Sequence, residues 1–362
     1  CPKGSPRGRS PAVFTGCSGS GNHRRPAHTF RRLETKTPKR EVKALIDVIR
    51  SQYPSSMKVL VCASLLFLLF SHGLLDARQE RASSYKRPEL VNRSRIARGL
   101  LFTTHRHTKT IRDYSRLSNL VRSYPSTILI HTFRINPRFF DIRVLDSADY
   151  FSSRASVRRL VEESGALGAV NAGFFDENSR PLGLHIKRKQ VIRGFTMASK
   201  KSAAVFYERD GLYKIISNKN YKKYFIESKP PSPMTEAVQS YPLLVGRGKS
   251  MWKWRPGEGI AARTAVGISW TGLVYLVVSD TDPLNGLSLS ELASFMAVTH
   301  RCKVALNLDG GNSSQMYYND SEHTISVEGR DTIRTALAFF HEGEGYKANE
   351  RSTSTVLTSS SE

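Results

Sequence analysis

Between Tyr124 and Glu344 the chain alternates short apolar runs with Gly, Asn, Asp and Pro, the pattern of β-strands joined by turns. The runs predict strands over 127–133, 141–145, 168–172, 182–187, 203–207, 212–216, 263–269, 273–279, 303–308, 314–318, 324–327 and 335–340. Helical spacing occurs twice. Val157, Leu160 and Val161 share a face over 153–164, and Leu289, Leu292, Ala293 and Met296 share one over 289–299. Ser288 and Glu291 form a capping-box pattern at the start of the second helix. That helix lies between two strong strands, and the connection is long enough for a parallel crossover. Many strands with few helices predict a single α+β domain around a large mixed sheet, residues 124–344.

The flanks read differently. The first Met is Met57, and residues 57–77 have a basic start at Lys58, an apolar stretch from Val59 to Phe70, then small residues. This is the layout of a secretory signal peptide, and the stretch is short of the roughly 20 residues that span a bilayer. Residues 1–56, rich in Arg, Pro, Ser and Gly, are expected to be an upstream extension that does not order. Residues 78–123 are expected to form a basic lead-in or stalk, and the Ser/Thr-rich tail 345–362 to be disordered. The protein is thus expected to be exported, to the periplasm, the cell surface or the medium, and to meet the membrane only in transit. Of four Cys, only Cys302 would survive cleavage, so the domain must hold together by its core rather than by a disulfide.

Charge narrows the partners. The formal net charge is +24, and residues 78–362 keep +15 of it. For an exported protein this favours phosphate-bearing glycans or anionic cell-surface polymers. Nucleic acid is not expected, because Lys187–Lys189, Lys200–Lys201 and Lys222–Lys223 fall at apparent turns and form no basic stripe interleaved with aromatics. The sequence is silent on oligomeric state.

Candidate chemistry centres on residues 305–316, ALNLDGGNSSQM. An apolar strand carries Asn307 and Asp309, breaks at Gly310–Gly311, and leads into Asn312, Ser313, Ser314 and Gln315. Alone, the run reads equally as a small-molecule site or as a strand with a polar turn. Three segments share its character: GAVNAGFFD (168–176), with Asn171, Gly173, Phe174, Phe175 and Asp176; QSYPLLV (239–245); and ARTAVGI (262–268), with Arg263 and Thr264. An Arg in an apolar strand either pairs with a core carboxylate or binds an anion through its planar fork, and spacing does not choose between them. Familiar signatures fail. Residues 246–250 lack the leading Gly of a phosphate loop, where Leu243 stands, and 311–315 lack the closing Gly of a nucleophile elbow. His105 and His107 read as two solvated histidines rather than zinc ligands.

Together with GLSLSELASFM (286–296), these motifs resemble, in order and approximate spacing, the phosphodiester glycosidases, also called the exopolysaccharide-biosynthesis or uncovering-enzyme domain family. The resemblance covers roughly residues 125–342. The chain departs from the family pattern at Ala172, where a first Gly is usual, and at Asn312, where a third Gly is usual. Asn at 312 suits a positive φ if that backbone needs one. The family's animal member removes a covering N-acetylglucosamine from mannose 6-phosphate. The resemblance implies a strongly curved mixed sheet with the motifs meeting in one cleft, and a hydrolase cleaving a sugar-1-phosphodiester. Because the phosphate-ester leaving group is already a stable anion, a second carboxylate as general acid is dispensable. Asp309 is expected as nucleophile or base, and Arg263 as the phosphate clamp, helped by Thr264, Ser313, Ser314 and the N–H groups of Gly310–Gly311. Asn171 and Asn307 are expected to orient sugar hydroxyls, with Phe174 and Phe175 offering the ring an apolar surface unless core packing claims one of them, Gly173 among the substrate-binding residues, and Asp176 and Asp280 as reserve carboxylates. No cofactor is implied. Asp280, Asp282 and Asp309 would suit a divalent cation, but no ligand spacing establishes one. Two alternatives stay open: a non-catalytic module binding an anionic glycan, and an exopolysaccharide-processing enzyme acting on ordinary glycosidic bonds with Asp176 as acid.

Overall fold

Eighteen strands occur among the described residues. The first nine are β1 (Glu89–Ala97), β2 (Leu100–Tyr114), β3 (Val121–Ile135), β4 (Phe140–Asp146), β5 (Gly168–Asn171), β6 (His185–Lys187), β7 (Gln190–Arg193), β8 (Ala204–Arg209) and β9 (Leu212–Ser217). The rest are β10 (Glu236–Ser240), β11 (Leu243–Gly246), β12 (Lys249–Ser250), β13 (Thr264–Ser269), β14 (Val274–Ser279), β15 (Cys302–Asn307), β16 (Met316–Asn319), β17 (Thr324–Val327) and β18 (Thr335–His341). Three α-helices accompany them: α1 (Val157–Ser164), α2 (Asn218–Tyr221) and α3 (Leu289–Ser294), the last two continued by π-helical segments at Lys222–Glu227 and Phe295–Thr299. The structure, a computed structural model, describes residues 85–343 apart from 115–120, 198–201, 229–232, 254–257 and 281–284. The expectations for 1–56, 57–77 and 345–362 lie outside the described residues. Within them no helix is long and apolar enough to cross a membrane.

The fold is α+β, with its strands divided among three sheets rather than gathered in one. Sheet one runs β1-β2-β3-β14-β13-β15-β11-β12, sheet two β7-β6-β10-β8-β9, and sheet three β17-β16-β5-β18-β4. Every strand pair among the described residues is antiparallel, so the expected mixed pairing does not occur. The crossover is present in another form. β14 and β15 both lie antiparallel to β13, one on each side, and α3 carries the chain over the sheet between them. Ser288 and Glu291 form the expected capping box.

The main core, with Phe133, Leu276, Phe206, Leu306 and Phe339, draws on all three sheets. A second core (Ile130, Val277, Leu292, Phe295, Ala305) lies on the other face of sheet one under α3, and a third (Leu160, Ala169, Phe340) joins sheet three to α1. β14, VYLVVS, is buried along its whole length because its two faces serve different cores. That is why it reads as an unbroken apolar run.

The expected lead-in is corrected from Glu89 onward. Residues 89–114 form β1 and β2, and Leu100 and Phe102 sit in the main core. The strand was hidden because its buried alternate face is polar: Thr103, His105 and His107 are buried while Arg106 and Thr108 are exposed. The two histidines are therefore not solvated. His105 packs edge-on against Phe295, and His107 Nε2 lies 3.3 Å from Glu291 Oε1.

Candidate active site

The site forms where β5, β13 and β15 end together. Asn171 closes β5, is fully buried, and joins the other segments. Its Nδ2 donates to the Asp309 carbonyl (2.8 Å), and its Oδ1 accepts from Thr264 Oγ1 (2.7 Å) and the Gln315 N–H (3.0 Å). Thr264, also fully buried, lies 3.1 Å from Ser314 Oγ. The Asp309 N–H donates to the Ala172 carbonyl (2.9 Å). Asp309 is thus fixed at both its N–H and its C=O by the end of β5. The buried Asn171 side chain, expected to face sugar hydroxyls, instead ties three motifs together.

Two glycines shape the turn after β15. Gly311 has φ +62°, where a side chain would be strained. At Gly310 a Cβ would meet the Ala262 carbonyl at 3.0 Å, so the bare backbone lets the turn close on Ala262, with Arg263 Nη1 in ordinary contact distance at 4.0 Å. Positive φ thus falls at Gly311, while Asn312 follows within a 3₁₀ turn (Gly311–Ser313) and needs no special backbone. The N–H groups expected to hold phosphate are already used. Gly310 donates to Asp309 Oδ1 (2.9 Å) and Gly311 to the Ala262 carbonyl (2.8 Å).

Burial pushes the Asp309 carboxyl up to about 6, against the pull of hydrogen bonds from Ser313 and Gly310, and the nearby Asp331 charge adds to the rise. Such a group is poised to exchange a proton near neutral pH. Arg263 does not take the first of the two courses that its sequence leaves open. Among the described residues it forms no ion pair; instead Nε donates to the Leu287 carbonyl (2.9 Å) and Nη2 to that of Gly259 (3.0 Å). Burial lowers its pKa, while the charges of Glu258 and Glu291 hold it up. The Leu287 carbonyl is brought there because Gly286 packs on Ala261, where a Cβ would stand 2.4 Å from the backbone.

The other expected residues divide. Asn307 donates from Nδ2 to the carbonyls of Tyr241 (2.9 Å) and Leu308 (2.6 Å), and its buried Oδ1 has no partner among the described residues. Phe174 stacks on Tyr241 with centroids 4.7 Å apart, and Gly173 donates to Thr335 Oγ1. Phe175 lies beneath the Arg154 guanidinium and packs with the third core. Asp176 caps its own turn, accepting from the Arg180 N–H (2.8 Å). Asp280 pairs with His131 Nε2 (3.1 Å) and accepts from the Leu129 N–H, fastening β14 to β3. Neither reserve carboxylate contacts Asp309, and Asp282 lies outside the described residues. Among those residues no three His, Cys, Asp or Glu side chains gather to hold a metal ion.

The sequence reading missed Glu258. Its carboxylate accepts from Trp252 Nε1 (2.8 Å), the Ser290 N–H (2.9 Å) and Ser290 Oγ (2.8 Å), which holds a negative charge near Arg263. The capping box marked this helix start, but nothing in the spacing joins residue 258 to residue 290.

Residues 164–340 match the model of the phosphodiester glycosidase family. No curated protein sequence matches the chain. Among solved structures, a hypothetical protein from Synechocystis is 14% identical with a TM-score of 0.45; the match covers 71% of this chain and 64% of that one, so the chain spans less than two thirds of that protein. The zebrafish N-acetylglucosamine-1-phosphodiester alpha-N-acetylglucosaminidase catalytic domain, auto-inhibited by its pro-peptide, is 18% identical with a TM-score of 0.48, covering 70% of this chain and 86% of that one. The segment that matches the phosphodiester glycosidase family, residues 164–340, is the one that holds Asn171, Arg263, Thr264 and Asp309.

Proposed function

We propose that this protein is an exported hydrolase that cleaves a sugar-1-phosphodiester of the N-acetylglucosamine-1-phosphate type, carried on a glycan or cell-surface polymer. The observation that carries the reading is the pairing of Asp309, raised to about 6, with an Arg263 whose charge no carboxylate neutralises by direct contact. In this mechanism the C1–oxygen bond breaks and the electron pair leaves with the phosphate ester. Arg263 stabilises that anion through Nη1, which donates to no protein group among the described residues. Asp309, ionised, takes a proton from the attacking water or adds to C1 itself. Ser313 holds the carboxylate, and Asn171 and Thr264 position it through the backbone. Asn307 braces the end of β15 through the Tyr241 and Leu308 carbonyls, and the Phe174–Tyr241 stack offers the ring an apolar surface. Export and the anionic substrate draw support from the layout of residues 57–77 and from the +15 charge of the remainder.

The test is release of free sugar from a sugar-1-phosphodiester beside a neutral glycoside of the same sugar. Arg263→Ala should lower kcat/KM on the phosphodiester by about 10²-fold or more and leave any activity on the neutral glycoside unchanged. Equal loss on both substrates would remove the phosphate role. Binding without turnover across a substrate panel would overturn the enzymatic reading.

A further inference from the structure

The face of sheet one that α3 covers is open at its far end. The cross-strand register sets Arg95 beside Leu101 and Leu101 beside Arg134, with Arg93, Thr103 and Thr132 forming the next row. Arg93, Arg95 and Arg134 therefore share one face. Arg98, from the turn between β1 and β2, joins them in lining a groove of about 600 Å³. An adjoining pocket of about 280 Å³ shares Arg93 and Arg134 and adds Arg301 and His105. Tyr275 and Gly267 mark this end of the sheet, while Val278 and Thr264 mark the end that carries the Asp309 site, several strands away.

Among the described residues none of Arg93, Arg95, Arg134 and Arg301 forms an ion pair, and Arg98 meets only the Phe139 ring, 4.8 Å away. His105, 7% exposed, lines the smaller pocket, and its buried Nδ1 has no partner among the described residues. Charged residues on an edge strand often serve to block pairing with another chain. That accounts for Arg93 and Arg95 on β1 but not for Arg98, Arg134 and Arg301, which come from other elements. Like charges gathered around a concave surface raise its potential and attract an anion. The guanidinium forks suit phosphate or sulfate oxygens. The spacing suits several such groups on one molecule: Arg93 and Arg95 start about 7 Å apart along the strand, and Arg95 and Arg134 about 10 Å apart across it. Nucleic acid fits poorly, because the aromatic ring lining the smaller pocket, Tyr275, is only 8% exposed and no open platform awaits a base.

We propose that this groove is a second anion-binding site, for phosphate or sulfate esters carried on a flexible polymer without bases, separate from the Asp309 site. It requires no catalysis and stands whether or not the hydrolase reading does.

Binding is measured with the full chain by fluorescence anisotropy across a salt series. The probes are a labelled sulfated hexasaccharide and labelled inorganic polyphosphate of similar charge, beside single-stranded DNA. Arg95→Gln with Arg134→Gln should weaken at least one of the first two probes at least tenfold and lower the salt slope by about two. Which probe responds distinguishes sulfate from phosphate. Lys222→Gln with Lys223→Gln, the same charge change elsewhere, should stay within twofold. Arg93→Gln with Arg95→Gln, on the exposed strand, replaces the first pair if Arg134→Gln does not fold. Equal loss in both lysine and arginine doubles, no binding of either polymer by the unaltered chain, or DNA bound as tightly and weakened as much would overturn the proposal.

Discussion

Asp309→Asn should inactivate the protein and stabilise it. The carboxylate has one oxygen on the Gly310 N–H at 2.9 Å and a hydrogen bond from Ser313, yet burial still lifts its pKa from 3.8 to about 6. The sign follows from linkage. A carboxyl whose folded pKa lies above its unfolded value binds its proton more tightly when folded, so ionisation costs stability as pH rises from 3.8 through 6. Two pH units correspond to about 3 kcal/mol, and partial exposure reduces this to about 1–3 kcal/mol. Asparagine keeps the oxygen that accepts from Gly310, keeps the shape, and removes the charge. Urea unfolding at pH 7.5 should therefore give the variant about 1–3 kcal/mol more stability than the unaltered chain, or a Tm higher by about 2–10 °C. The difference should shrink at pH 5 and vanish by pH 3.5. Sugar release should fall by about 10²-fold or more, and kcat of the unaltered enzyme should drop on the acid side with an apparent pKa near 6. A variant less stable at pH 7.5, or a stability gain that does not change with pH, would refute the account of burial; full activity would remove Asp309 from the chemistry.

Thr264→Val keeps the β-branched shape but takes one donor from Asn171 Oδ1 and leaves Ser314 Oγ without its neighbour; it should cost about 1–3 kcal/mol in urea and reduce kcat more than it raises KM. For Glu291, burial alone would raise the carboxyl, but bonds from His107, the Ser288 N–H and Lys109 bring it down to about 2. Glu291→Gln preserves the cap and loses the ion pairs, so it should cost about 1–3 kcal/mol at pH 7. That stability is complete above pH 4.5 and lost as pH falls toward 2, so unfolding curves of the two proteins should converge in acid.

Legibility followed the chemistry of each face. β14 and the inward face of α3 were plain because apolar side chains, chiefly Val and Leu, fill most of their buried positions. β2 was opaque because its buried row is Thr103, His105 and His107, residues that ordinarily signal solvent; here His105 packs edge-on against Phe295 and His107 reaches Glu291. At the site, the motifs identified which segments meet, and Asn171, Thr264, Asp309 and Ser314 do meet. The division of labour among them was not legible. A buried Asn whose oxygen joins strands and one whose oxygen is left without a partner have the same letter, and only the hydrogen bonds of Asn171 and Asn307 separate the two. Glu258 lay beyond reach because its partners Trp252 and Ser290 are set by the path of the chain, not by a spacing.

Arg263 is held by the carbonyls of Gly259 and Leu287 rather than by an acid. A carbonyl survives substitution of its own side chain, so the residues that orient this cation can drift without releasing it. Relatives that share the grip need share no letter at either position, and a search for an invariant acidic partner would miss them. The holders themselves carry no charge, so among the described residues only Glu258 and Glu291, which act on the guanidinium without direct contact, offset it.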